Sequence, residues 1–169
     1  MDYLHFSKNE RVEENYVLAF KQITEIALKA MSPGINDPGT TINAIDYLTD
    51  LFLLRMEKRD QSYLFDDNDI PYVRIKTVNF KDLIYNVMSA LRTYSKHDII
   101  VVEKLFIMLS YLLEEVQPVD ASYSKTVAQE IQILYEDALK NQSNEADLST
   151  IKHYMRQIKL AVPSAFANS

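Results

Sequence analysis

Apolar residues recur along most of this chain at steps of three and four, the spacing that gathers them on one face of an α-helix. Between Val12 and Met31, Tyr16, Phe20, Ile23, Ala27 and Ala30 form such a face, while Glu25 and Lys29 stand on another in the favourable i,i+4 order. A second run, from Asp37 to about Lys58, places Ile42, Ile45, Phe52 and Met56 on one stripe, and Leu51 to Leu54 wrap the helix with apolar residues. A helix apolar all round is buried, so this one is predicted to be central. Four later stripes each follow a capping residue. Asn79 precedes Leu83, Val87, Leu91 and Tyr94; Asp98 precedes Val102, Leu105, Leu109, Leu112 and Val116, closed by Pro118. Asp120 precedes Val127, Ile131, Leu134 and Ala138; Asn144 precedes Leu148, Ile151, Met155 and Ile158. Between Ser62 and Val78 the period changes to two: Tyr63 and Phe65, then "DDND", then Val73, Ile75 and Thr77. That predicts a hairpin whose pairing Pro71 limits. The expected fold is mainly all-α, a bundle of about five or six helices with one small β-hairpin. It would form a single helical domain over residues 1–162, ahead of a loose tail at 163–169.

Composition narrows the chemistry. With no cysteine among the 169 residues, disulfides, thiolate nucleophiles and cysteine metal sites are excluded, and a reducing compartment fits. The net charge is −6. Lysines alternate with acids, and no basic face for nucleic acid is visible. The opening "MDYLHFSKNERVEEN" is too polar for a signal peptide. The longest apolar reach, Ile99 to Leu113, is interrupted by Glu103, Lys104 and Ser110 and falls short of the ~20 residues of a membrane helix. The chain as given is expected to be soluble. His5, His97 and His153 have no metal-ligand spacing, and there is no G-x-S-x-G elbow. "DDND" lacks the glycine and distal glutamate of a calcium loop and reads as a solvated turn. No catalytic residue, metal ligand or cofactor is therefore predicted, and the reading is non-enzymatic, with a hydrolase the lesser alternative.

The chain has only two glycines, and both lie in "SPGINDPGTT", beside two of its five prolines. Pro33 turns Ser32 out of helical angles and ends the first helix. Gly34 offers a conformation other residues avoid. Asp37 and Pro38 form a helix start, an N-cap carboxylate followed by a proline at the first helical position. Ile35 would dock as an apolar peg, leaving the loop rigid and Asp37 accepting from the N–H of Gly39 or Thr40. "GINDPGTT" matches G-x-x-x-x-G-K-[ST] apart from the lysine, where Thr40 stands. A phosphate loop is rejected, because the segment follows a helix, Asp37 adds negative charge and Pro38 removes a donor. Ser32, Asn36, Asp37, Thr40 and Thr41 could still line a polar pocket or hold an ion. The alternative is that Asp37 and Thr40 cap the helix and Asn36 satisfies its own turn.

The stretch "EIALKAMSPGINDPGTTINAIDYL", Glu25 to Leu48, resembles the signature of a bacterial family of predicted membrane proteins, domain of unknown function 2254. The matching features are Ala30 and Met31, the run Ser32 to Pro38, and Ala44. Arg11 and Glu14 to Gln22 resemble the family's lead-in, with Asn15 in place of an aspartate. The hairpin, "VNFKDLIYNVMSALRTYSKHD" and the following helix resemble the rest of its soluble part, so the likeness runs from Arg11 to Val116. Family pattern places other residues at Gly39. The resemblance implies several membrane helices followed by a soluble C-terminal region, which this chain would be, membrane-associated in the full-length protein and on the cytoplasmic side. It brings no activity with it.

Two readings of function follow. One is a non-catalytic assembly or coupling domain serving a membrane part of the same protein and meeting its own copy, with the Val102 to Val116 stripe a candidate face. The other is a small-ligand or ion-sensing module at the polar corner.

Overall fold

The structure, a computed structural model, describes residues 15–66, 68–74, 77–114 and 118–166. Six α-helices and one β-hairpin follow in order: α1 Tyr16–Ala30, α2 Pro38–Met56, β1 Tyr63–Phe65, β2 Pro71–Arg74, α3 Phe80–Ser95, α4 Ile99–Glu114, α5 Ala121–Asn141 and α6 Glu145–Ala161. A 3-10 turn, Pro163–Phe166, follows, with Ala165 and Phe166 packed on the core. The expected start of the first helix at Val12, and the positions Ile75 and Val116, lie outside the described residues.

The helix starts form as their side chains dictate. Asn79 accepts from the N–H of Asp82, Asp120 from Ser122 and Asn144 from Ala146. The Asp98 carboxylate accepts from Ile100 and Val101. Each carboxylate or amide oxygen takes up a donor that the first helical turn leaves without a partner. In the hairpin, β1 and β2 pair antiparallel, Tyr63 with Arg74 and Leu64 with Val73. The register shifts after Leu64, so that Phe65 stands opposite Pro71, a residue without an N–H to contribute. Asp66 closes the turn by accepting from Asn68 and Ile70, both at 2.9 Å.

The core corrects one expectation. α2 contacts α1 and α4, but its outward side stays open, with Tyr47 and Leu54 exposed. The central helix is α4, which packs on α2, α3, α5 and α6. Its buried residues Val101, Val102, Leu105, Phe106, Met108, Leu109, Leu112 and Leu113 cover more than one side. The Leu51 to Leu54 run misled because two of its members only border the core and Leu54 faces water. The Val102 to Leu112 stripe is consumed inside the bundle. It is therefore not a face for a second copy.

A line of rings crosses the core from α1 to α5. Phe20 lies 4.7 Å from Phe52, Phe52 lies 6.2 Å from Phe80, and Phe80 stacks on Tyr123 at 4.4 Å. At the other end of α3, Arg92 pairs with Glu130 of α5, both almost fully buried. Arg92 Nε also lies 3.2 Å from Asp137 Oδ2, out of line for a hydrogen bond. Burial pushes the Glu130 carboxyl above its usual range, against the pull of Arg92. Removing one partner of such a pair leaves the other charge stranded away from water. Glu130→Ala should cost about 3–5 kcal/mol in urea unfolding, and the double change Arg92→Met with Glu130→Leu should recover most of that loss. A cost near zero for Glu130→Ala would show that the pair does not hold α3 to α5.

Candidate functional site

The polar corner between α1 and α2 is built from hydrogen bonds that run mostly to backbone. Ser32 Oγ donates to the carbonyl of Lys29 at 2.7 Å, and the N–H groups of Ile35 and Asn36 both donate to the carbonyl of Ser32 at 2.9 Å. The N–H of Asp37 returns to the carbonyl of Ala30 at 2.8 Å. Asp37 caps α2: its Oδ1 accepts from the Thr40 N–H at 3.0 Å and its Oδ2 from the Thr40 hydroxyl at 2.5 Å. Pro38 occupies the first helical position. Thr41 is fully buried, and its hydroxyl lies 3.3 Å from two carbonyls, Ala27 of α1 and Asp37. Ser32, Asp37, Thr40 and Thr41 thus share one turn, whereas Asn36 stands exposed beside them.

Two details differ from the sequence reading. Ile35 is 51% exposed and docks on nothing in the core. The chain turns by the paired bonds to Ser32, which need no apolar peg. The left-handed residue is Asn36, at φ 48°, and neither glycine has positive φ. Asparagine tolerates that region better than most side chains. A Cβ on Gly34 would meet nothing within 4 Å, whereas one on Gly39 would stand 3.3 Å from Asp37 Oδ1. Gly39 therefore leaves room for the capping carboxylate, and Gly34 answers no steric demand.

A second cluster, which the sequence reading missed, lies at the far end of α2. Arg55 is buried on the α2 face that carries Phe52 and Met56. Its guanidinium pairs with Asp60 and donates to the carbonyl of Lys58 at 2.7 Å. The rings of Tyr16, Phe80 and Tyr123 lie within 5.6–6.0 Å of it, close enough for cation–π attraction. Burial opposes the charge, but the bonds to Tyr123, Asp60 and Tyr16 outweigh it and hold the guanidinium above its ordinary pKa. Asp60 in turn accepts from the N–H of Phe80, the first residue of α3, at 3.0 and 3.1 Å. The Tyr123 hydroxyl accepts from the Asp60 N–H at 2.9 Å and donates to the Lys58 carbonyl at 3.1 Å. Part of the signal was present in "LFLLRMEKRD": a lone cation inside an apolar run must find an acid close by, and of the two that follow, Glu57 and Asp60, the structure pairs Arg55 with Asp60.

Beside this cluster runs a groove of 430 Å³ between the start of α1 and the end of α2, walled by Tyr16, Phe20, Leu51, Leu54, Lys58 and Arg59. Among the described residues no group of three or more histidine, aspartate or glutamate side chains could hold a metal ion. No helix among them is long and apolar enough to cross a membrane.

A family model described as "Predicted membrane protein (DUF2254)" matches residues 1–111, through α3 and into α4. That span contains the polar corner, the hairpin and Arg55. No curated protein and no solved structure matches the chain.

Two outcomes follow from the geometry. The Asp37 carboxyl sits below its usual pKa, mainly through the Thr40 hydroxyl and then the Thr40 N–H, with a smaller pull from Gly39. A depressed folded pKa gives stability that is complete above the unfolded value of about 3.9 and lost as pH falls through the folded one. Asp37→Ala should therefore melt below the parent at neutral pH, with the gap closing under acid. A gap unchanged by pH in thermal scans would contradict the cap. Tyr123→Phe strands the Asp60 N–H, while the Lys58 carbonyl keeps its bond from Arg55, and should cost about 1–3 kcal/mol by chemical denaturation. A neutral effect would show that the hydroxyl is replaceable by water.

Proposed function

The chain belongs to the DUF2254 family of predicted membrane proteins, and on that premise we propose that it is a non-catalytic assembly and coupling domain. In this reading it serves the membrane part of a larger protein from the cytoplasmic side and meets a second copy of itself. The observation that supports assembly is apolar surface left on the outward side of the bundle. Ile100, Ile107 and Tyr111 fall on one exposed face of α4, at i, i+7 and i+11. Lys104, on that same face, reaches across to Asp46 of α2 at 2.5 Å, next to the exposed Tyr47. Two helices pinned side by side with exposed apolar residues form a surface a like surface can cover, and two-fold pairs are the commonest closed assemblies.

The corner supports the coupling half. Thr41 and Asp37 bond to carbonyls of α1, so α1 and α2 would turn as one stiff piece. A displacement arriving at the start of α1 would then be passed to α2 and, through Lys104, to α4. The polar groups act as rivets in this account.

Sedimentation equilibrium tests it. The chain should show a concentration-dependent approach to twice its monomer mass, and Ile107→Lys, an exposed site that folding does not need, should keep it monomeric. A parent chain that stays monomeric at the highest concentrations, or an Ile107→Lys variant that pairs as before, would overturn the assembly reading.

A further inference from the structure

We propose that the groove beside Arg55 is a binding site for a single-chain anionic amphiphile, a free fatty-acid anion of medium length. Its walls carry two kinds of chemistry. Tyr16, Phe20, Leu51 and Leu54 make an apolar trough, and Leu54 is 59% exposed at its lip. At one end the chain presents Arg55, Lys58 and Arg59 against the single carboxylate of Asp60. Arg55 spends its charge on Asp60, but Lys58 and Arg59 are exposed, and among the described residues neither has a carboxylate within 4.0 Å. Arg59 acts on Asp120 only at longer range.

The excess of positive charge in this one trough is notable in a chain whose net charge is −6. Charge complementarity therefore selects an anionic head, and the apolar trough selects a hydrocarbon body. A volume of 430 Å³ is at the small end for ligand sites, which run about 300–1,000 Å³, and admits one chain more readily than two. The concave shape suits one molecule rather than a bilayer surface. The pairing of buried Arg55 with the partly exposed Asp60 carboxylate fixes the wall, so the site is formed before the ligand arrives and its cost of ordering is low.

The lip at Leu54 shares the outward side of α2 with Tyr47, but the test reads decanoate binding and not chain mass, so this inference is decided separately from self-association. Calorimetric titration of the whole chain tests it, with decanoate below its micelle concentration as probe, 1-decanol as the neutral analogue, acetate as the head alone and anionic phosphatidylglycerol vesicles as the bilayer. Decanoate should bind one to one and shift the NMR methyl signals of Leu51 and Leu54. Lys58→Gln with Arg59→Gln, both at exposed positions, should weaken it about tenfold, the loss expected of two screened charge contacts. Leu54→Lys should weaken it as well. No decanoate binding, equal binding of decanol or acetate, binding to vesicles alone, or decanoate affinity indifferent to the two charge removals would each overturn the proposal.

Discussion

A guanidinium buried near the end of α2 sets the terms for the surrounding structure. Arg55 cannot leave water without an acid, because an unpaired buried charge costs several kcal/mol. Its partner is Asp60, five residues on, and holding Asp60 there fixes the chain that follows. The same carboxylate accepts the first N–H of α3, so the end of α2 and the start of α3 are brought together across the hairpin. Thr77 adds a bond to the carbonyl of Gln61 just outside that clamp. The hairpin is thus an excursion from a closed base, and β1 and β2 can vary without disturbing how α2 hands over to α3. Tyr123 completes the node by stacking on Phe80 and bonding both Asp60 and Lys58, which ties in the start of α5.

α3 is consequently held by charge near both ends. Asp60 receives its N-terminus, and Arg92 pairs with Glu130 in the last turns. α5 takes part in both, through Tyr123 and Glu130. The aromatic line from Phe20 to Tyr123 runs into the first of these fastenings, at Phe80 and Tyr123, and supplies burial but little direction. Ion pairs of this kind add little net stability over apolar replacements, and their use here is to fix which ends meet. Such a frame suits a body that passes on a position, since its helices cannot slide without stranding a charge.

What could be read from the sequence followed from local chemistry. Asn79, Asp98, Asp120 and Asn144 cap helices because short polar side chains reach only their own first turn. The stripes of α3, α5 and α6 are buried at Leu83, Val87 and Leu91, at Val127, Ile131, Leu134 and Ala138, and at Ile151, Met155 and Ile158, whereas Tyr94 is exposed and Leu148 only partly buried. Asp37 was legible as a cap for the same reason. What escaped depended on partners distant in sequence. The three-to-four spacing of Val102 to Leu112 marks a buried face, but only the packing of four other helices shows that α4 is the centre. Ile35 was expected to be buried because it is apolar, yet the bonds to Ser32 already hold the turn. Tyr123 and Arg55 are 68 residues apart, and no spacing rule joins them.

The central claim is that the Arg55, Asp60 and Tyr123 node closes the base from which the hairpin projects. Native-state amide exchange at Asp60 and Phe80 tests it most directly. These two N–H groups should exchange as slowly as the buried amides of α4, through global unfolding alone, while amides of β1 and β2 exchange faster. Exchange at Asp60 and Phe80 as fast as in the hairpin would mean that the base opens with the strands, and the account of a fixed handover from α2 to α3 would be wrong.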